Sequence, residues 1–165
     1  MGIKNSTKGD IQIAIDAIKS AQYQHVFLGT TKKGKVAIFK TSVNDDTHII
    51  LMGGLEPNNH PTDNENCRTA LEKNEVNANI MVDFSHGNSQ KNHENQKKVS
   101  ASICEQIASG NKDIIGVMIE SHLKEGNQKI SEGMEYGKSI TDACVNWEET
   151  KKLLNDLAQA VIARR

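Results

Sequence analysis

The stretch IMVDFSHGNS, residues Ile80 to Ser89, brings a short apolar run directly into a histidine and a polar, glycine-containing turn. Continuous apolar runs of this length are typical of strands buried in a parallel sheet. A barrel strand presents a catalytic group in this way, because the active site lies at the carboxyl ends of the strands. A second run, Ile114–Ile119, ends on Glu120 and a polar loop in the same pattern. Two strands that end on metal-binding side chains indicate part of an enzyme.

Helical and strand patterns alternate along the rest of the chain, which is typical of βαβ units around a parallel sheet. The predicted strands are an opening strand around Lys4, His25–Thr30, Ile80–Asp83 and Ile114–Ile119, and Lys35–Lys40 is predicted to form a hairpin with Thr47–Met52. The predicted helices are one that begins after Asp10 and ends within Ala17–Gln24, one over Asn64–Glu75, and one through Val99, Ile103 and Ile107 that ends at Gly110. A last helix has a predicted inner stripe of Trp147, Thr150, Leu154, Leu157 and Val161.

A third metal-competent side chain, Asp142, lies just before the last predicted helix. One imidazole and two carboxylates, from His86, Glu120 and Asp142, form a suitable ligand set for a divalent transition metal. Ser85 precedes His86, but adjacent strand residues point to opposite faces, which disfavours a serine nucleophile. The remaining histidines have no partners at ligand spacing, and we expect surface, loop or packing roles for them: His25, His48, His60, His93 and His122.

Composition excludes several other classes of protein. A net charge of −1 over 165 residues, with no basic stripe, argues against nucleic-acid binding. No apolar segment approaches the length of a signal peptide or a membrane span. The three cysteines, Cys67, Cys104 and Cys144, are an odd number without the spacing of a disulfide framework. We therefore expect a cytoplasmic protein with reduced thiols and no membrane partner.

Four motifs occur in order along the chain: DFSHGNS (Asp83–Ser89), GVMIESH (Gly116–His122), EGNQ (Glu125–Gln128) and YGKSITDAC (Tyr136–Cys144). In this order and spacing they resemble the class I 3-deoxy-heptulosonate 7-phosphate (DAHP) synthases. The resemblance covers essentially the whole chain and corresponds to the C-terminal half of a family member. It implies an α/β fold in which residues 1–165 form part of a (β/α)8 TIM barrel, its last four βα units, with a β-hairpin insertion after the second strand. A complete barrel of this type needs about 250 residues.

The resemblance implies a metal-dependent condensation of phosphoenolpyruvate with erythrose 4-phosphate, the first step of the shikimate pathway to the aromatic amino acids. It implies that His86, Glu120 and Asp142 bind Mn, Fe or Co, with a fourth ligand, a cysteine, from the family's N-terminal half. Cys144 is not expected to replace that thiolate. Lys4 matches the lysine of the family's Gly-Phe-Lys-Asn motif, which contacts phosphoenolpyruvate, so Lys4 and His86 are the predicted catalytic and substrate-binding residues.

One position departs from the family pattern. The chain has Met52 in the segment Leu51–Gly54, where the family has an arginine that helps to clamp the phosphate of phosphoenolpyruvate. A charge-assisted hydrogen bond contributes roughly 1.5–3 kcal/mol, so its loss should weaken phosphoenolpyruvate binding by about one to two powers of ten. The only arginines lie in predicted helices away from the strand ends: Arg68, Arg164 and Arg165.

Three interpretations of function remain open. The chain is a transferase half that needs an N-terminal half-barrel in trans, a truncated and catalytically inactive remnant, or a stand-alone metal-binding or regulatory module. The third rests on the hairpin, which in many family members helps to form the aromatic amino acid effector site, with Phe27, Gly29 and Phe39 as candidate positions. Because half of a closed sheet has two unpaired edges, we also expect self-association into homo-oligomers.

Overall fold

The computed structural model describes residues 1–165, which form two β-sheets and four α-helices. The strands are β1 (Gly2–Lys4), β2 (Val26–Thr30), β3 (Val36–Lys40), β4 (His48–Leu51), β5 (Ile80–Asp83) and β6 (Ile114–Met118). The helices are α1 (Gln12–Ala21), α2 (Pro61–Lys73), α3 (Gln96–Ala108) and α4 (Trp147–Arg164), and a short 3-10 helix (His93–Asn95) leads into α3.

A four-stranded parallel sheet with the strand order β1-β4-β5-β6 is the framework of the molecule. Each of its strands is followed by a helix before the next strand of the sheet begins. This is an α/β fold with a parallel sheet, consistent with part of a TIM barrel. Because all four strands run in one direction, their carboxyl ends meet at one edge, where such folds place their functional loops.

The helices form because their apolar residues recur on one face, which packs on the sheet. Ala14, Ile15 and Ile18 of α1 are buried, as the spacing predicts. Likewise α3 buries Val99, Ile103 and Ile107. These side chains belong to one core cluster of 16 buried residues between the sheet and its helices. The predicted and observed bounds agree for the strand β5. The predicted helices are shifted by only a few residues.

The prediction for the hairpin is wrong. Lys35–Lys40 does not pair with Thr47–Met52; instead β3 pairs antiparallel with β2, and β4 joins the parallel sheet between β1 and β5. The five-residue connection from Thr31 to Lys35 closes the β2–β3 turn, with Gly34 at φ +74°. Ile49, Ile50 and Leu51 are all buried, as suits a strand covered on both faces. The hairpin therefore lies between the first and second strands of the parallel sheet.

The predicted inner stripe of α4 is partly wrong. Leu157 and Val161 pack against the core, but Trp147 and Leu154 are each 50% exposed. The residues that α4 buries are Thr150, Leu153 and Ala160. Thr150 is buried as predicted, but at Leu153 and Ala160 the buried face is turned by one residue relative to the prediction, and α4 packs mainly against α3. None of the helices combines the length and the apolar character that crossing a lipid bilayer requires.

Candidate functional site

The three strand-end residues singled out from the sequence lie at the carboxyl edge of the parallel sheet. Lys4 is the last residue of β1, His86 follows β5, and Glu120 follows β6. Asp142 lies in the long connection between β6 and α4. The structure brings one ligand atom each of His86, Glu120 and Asp142 within 4.8 Å of one another.

The electrostatics of this triad favour a cation. His86 Nε2 lies 3.7 Å from Asp142 Oδ2, and neither Glu120 nor Asp142 forms an ion pair with a lysine or an arginine. The imidazole side chain is 29% exposed and that of Asp142 is 57% exposed, so the cluster is open to solvent from one side. An imidazole and two unneutralised carboxylates can together bind a divalent transition metal.

The β6–α4 connection delivers Asp142 by folding back along the end of β6. Ser121 and Val145 form a parallel bridge, and Val145 N–H donates to the Glu120 carbonyl at 2.9 Å. Farther along, Gly126 and Cys144 exchange two backbone hydrogen bonds of 2.9 and 3.2 Å. These contacts hold the segment just before α4 beside the strand end that carries Glu120.

A buried glutamine fixes the backbone of Glu120. Gln96, the first residue of α3, is 0% exposed. Its Nε2 donates to the Glu120 carbonyl and its Oε1 accepts the Glu120 N–H, both at 3.1 Å. The amide thus satisfies both backbone groups of the ligand candidate where the strand pairing ends. Gln96 was not predicted as a site residue, because a polar side chain at the start of a helix gives no signal of this contact.

Asp83, the last residue of β5, links Lys4 to His86. Its carboxylate oxygen Oδ2 accepts from Lys4 Nζ at 2.9 Å and lies 2.8 Å from His86 Nδ1. The other oxygen, Oδ1, accepts from the Ser85 N–H at 2.9 Å and from Ser85 Oγ at 2.7 Å. Asp83 was not among the predicted site residues; its position at the end of an apolar strand indicates a site residue but not which side chains it contacts.

His86 has an unusual backbone conformation, with φ +50°. Non-glycine residues seldom adopt this left-handed region, and those that do are concentrated at functional sites. The turn is held by the Lys91 N–H, which donates to the His86 carbonyl at 2.9 Å. The imidazole is thereby directed across the strand end toward Asp142.

Two buried asparagines join the loops at this edge of the sheet. Asn5 Oδ1 accepts the Met52 N–H at 2.8 Å, which ties the end of β1 to the end of β4. Asn88 Nδ2 donates to the carbonyls of Leu51 at 3.1 Å and Asp83 at 2.8 Å, which ties β4 to β5. These cross-strand contacts make the carboxyl edge a rigid base for the site, and neither asparagine was predicted as a site residue.

The arginines lie away from the carboxyl edge, as predicted. Arg68 is engaged by Glu65 and Glu72 on α2. Arg164 donates at 2.9 Å to the carbonyl of Asn111, which precedes β6 and lies at its amino end. Met52, directly after β4, therefore has no arginine beside it to serve as a phosphate clamp.

A second group of potential ligands differs from the triad. Atoms of His93, Glu94 and Glu125 also lie within 4.8 Å of one another, so the expectation that His93 has no partners is wrong. Here a cation is already present, because Lys97 Nζ donates to Glu94 at 2.9 Å. That hydrogen bond lowers the pKa of the Glu94 carboxyl. His25, His60 and His122 are exposed.

Cys144 is close in sequence to Asp142 of the triad, but its sulfur does not belong to the cluster of potential ligand atoms. Its side chain is buried, and its Sγ donates to the Asp142 carbonyl at 3.5 Å. Burial raises the pKa of the thiol. A neutral thiol in a backbone hydrogen bond is a poor metal ligand, since thiols coordinate as thiolates.

The hairpin candidates share one face of the β2–β3 sheet. Phe27 and Phe39 are register partners whose rings stack with centroids 5.6 Å apart. A Cβ added to Gly29 would lie 2.9 Å from the Phe39 ring, so only glycine leaves room for this stack. Their proximity is compatible with a shared site, and a role in effector binding stays a prediction.

The fold and the carboxyl-edge cluster define an α/β protein with its candidate site where barrel enzymes have theirs. The family model described as "DAHP synthetase I family" matches residues 1–155. The chain belongs to this family.

Individual relatives give the same result. The chain is 53% identical over 167 residues to the Phe-sensitive phospho-2-dehydro-3-deoxyheptonate aldolase of Escherichia coli K12, covering 100% of this chain and 48% of the relative. It is 50% identical over 172 residues to the tyrosine-inhibited enzyme of Schizosaccharomyces pombe, covering 100% and 46%. A solved structure of the aldolase from Francisella tularensis superposes with a TM-score of 0.95 at 51% identity, covering 99% of this chain and 48% of that one. The chain thus spans about half the length of the relatives it matches.

Proposed function

We propose that the chain carries the metal-binding half of a DAHP synthase site, which condenses phosphoenolpyruvate with erythrose 4-phosphate. In this reaction C3 of phosphoenolpyruvate bonds to the aldehyde carbon, water adds at C2, and inorganic phosphate leaves. The product is a seven-carbon sugar acid phosphate, the first intermediate of the shikimate pathway. The observation that carries the proposal is the convergence of His86, Glu120 and Asp142 at the carboxyl edge of the sheet in a chain of this family.

Residues 1–165 would then correspond to the last four βα units of the barrel. β1 and β6 are the outer strands of the parallel sheet, and they would pair with a complementary half-barrel or with a second copy of the chain. Edge strands present unpaired backbone groups, which favours both kinds of association.

His86, Glu120 and Asp142 would hold Mn, Fe or Co, with a further ligand from outside the chain. When bound, such an ion acts as a Lewis acid that polarises the aldehyde oxygen. Lys4 would contribute its ammonium group to the anionic phosphoenolpyruvate. Its hydrogen bond to Asp83 already holds that cation at the end of β1, so little side-chain ordering is needed on substrate binding.

The test is turnover of phosphoenolpyruvate with erythrose 4-phosphate and Mn²⁺, for the chain alone and with the complementary half of the E. coli Phe-sensitive relative. We expect phosphate release in the mixture, and its loss when Glu120→Gln replaces the wild-type chain. Glu148→Gln, on an exposed residue of α4, is the matched control and should retain activity. A mixture of folded, metal-loaded halves without turnover would contradict the proposal.

A second candidate is a non-catalytic half-barrel that binds a partner without doing chemistry, and Met52 favours it. Met52 occupies the position where the family has the arginine that clamps the phosphate of phosphoenolpyruvate. Arg68 is paired with Glu65 on α2 and Arg164 contacts the Asn111 carbonyl, so neither replaces that arginine. Met52→Arg separates the candidates. For a catalytic half, this substitution should lower the phosphoenolpyruvate KM of the mixture by about ten- to a hundredfold. An inactive mixture that Met52→Arg does not rescue would support the non-catalytic function.

A further inference from the structure

The Asp83 side chain is 0% exposed, yet it is a carboxylate. Burying a charge is unfavourable unless it is paired and hydrogen-bonded. Here both oxygens are fully used: Oδ1 by Ser85, and Oδ2 by Lys4 and His86 at 2.9 and 2.8 Å. This buried and fully hydrogen-bonded carboxylate is a fixed part of the site, and its contacts determine where the hydrogen atoms of Ser85 and His86 lie.

The hydrogen-bond inventory allows one tautomer of neutral His86. The Ser85 hydroxyl has a single hydrogen, which it donates to Asp83 Oδ1. A carboxylate only accepts. His86 Nδ1 lies 2.7 Å from Ser85 Oγ and 2.8 Å from Asp83 Oδ2, so Nδ1 must carry the ring hydrogen for either contact to be a hydrogen bond. The lone pair is then on Nε2, the nitrogen that faces Asp142.

We propose that Asp83 is a positioning residue that holds His86 as the Nδ1–H tautomer, with Nε2 free to bind a metal, and that anchors Lys4 through the same oxygen. This inference rests on the proposed function and deepens it. Carboxylates that accept from the second nitrogen of a ligating histidine orient the ring and raise its basicity. Because one oxygen serves both side chains, the metal-binding and anion-binding parts of the site share one support.

The first test uses the wild-type chain without metal. Long-range ¹H–¹⁵N NMR correlations distinguish the two tautomers of neutral His86, and we expect the Nδ1–H form. An Nε2–H tautomer would overturn the inference. This readout needs neither substrate nor metal, so it is independent of whether the proposed function holds.

The second test is metal affinity, measured by titrating the chain with Co²⁺ and following its absorption bands. Asp83→Asn keeps the shape but places an NH₂ group against Lys4 or His86, which are both donors. We expect binding weaker by about 10–100-fold. Asp156→Asn, an exposed charge removal on α4, should leave affinity unchanged.

The outcomes are distinguishable. A folded Asp83→Asn chain with wild-type affinity overturns the positioning role, whereas a wild-type chain that binds no Co²⁺ refutes the proposed function. If Asp83→Asn does not fold, the tautomer of the wild-type histidine decides. Asp83→Glu should restore part of the affinity, because it again supplies an acceptor-only group; a glutamate variant no better than the asparagine variant would count against the inference.

Discussion

Replacing Gly53 by alanine should destabilise the carboxyl edge of the sheet severely. Gly53 has φ +76°, and a Cβ built on it would lie 2.5 Å from the carbonyl carbon of Gly87 and from the amide nitrogen of Asn88. The left-handed backbone costs an L-residue roughly 1–2 kcal/mol, and forcing a methyl group into a packed contact costs roughly 1–3 kcal/mol more. We therefore expect Gly53→Ala to lower the free energy of unfolding by about 2–5 kcal/mol.

Gly34→Ala is the matched control, because Gly34 has φ +74° but no atom within 4 Å of an added Cβ. It should lose only the backbone contribution, about 1–2 kcal/mol. Urea unfolding of both variants, followed by far-UV circular dichroism at one protein concentration, measures the difference. Equal losses would refute the claim that β4 and the His86 loop pack backbone against backbone at this point.

Three further predictions test packing, capping and titration. Ile103→Ala removes a fully buried side chain of α3 and should lower the free energy of unfolding by about 2–5 kcal/mol. Ile13→Ala, at a position 58% exposed, should change it little, and a similar loss for both would show that the assigned core is wrong. Asn146→Ala removes the N-cap of α4 and should lower stability by about 1 kcal/mol in urea unfolding, whereas Asn155→Ala, exposed within the same helix, should be neutral or stabilising; the reverse order would contradict the capping role. Burial raises the pKa of Cys67 from 9.0 to about 12. Its contribution to stability is therefore complete below pH 9 and declines as the pH rises toward 12, because the unfolded thiol ionises first; the wild-type chain should lose more stability over this interval than Cys67→Ala, and parallel pH profiles would refute the assignment.

The strand β5, which leads into His86, was predictable because its sequence signal is local. Ile80 and Val82 are apolar and fully buried on one face of β5, and Asp83 on the other face is buried as well, which suits a strand inside a parallel sheet. The α3 stripe was predictable for the same reason, since three apolar residues four apart define one helix face.

The partner of a β-prone run was not predictable from the same pattern. Val36–Lys40 and His48–Leu51 have similar composition, and strand propensity does not say which neighbour a strand will have. The tight turn at Gly34 and the burial of Ile49 decide the pairing in the folded chain. The turn is local, but the burial of Ile49 depends on tertiary contacts.

At the site, the residue types at strand ends were predictable and their supports were not. His86 and Glu120 follow apolar runs, so their shared edge follows from the parallel topology. Gln96 acts through contacts 24 residues away in sequence, and Asp83 through a contact 79 residues away. No local pattern in one sequence encodes hydrogen bonds between such distant positions.

Anomalous X-ray diffraction at the manganese absorption edge, from crystals of the chain soaked in Mn²⁺, tests directly whether His86, Glu120 and Asp142 bind a metal. We expect a strong anomalous peak bounded by His86 Nε2 and the carboxylates of Glu120 and Asp142. A peak only beside His93, Glu94 and Glu125, or none at either cluster, would contradict it.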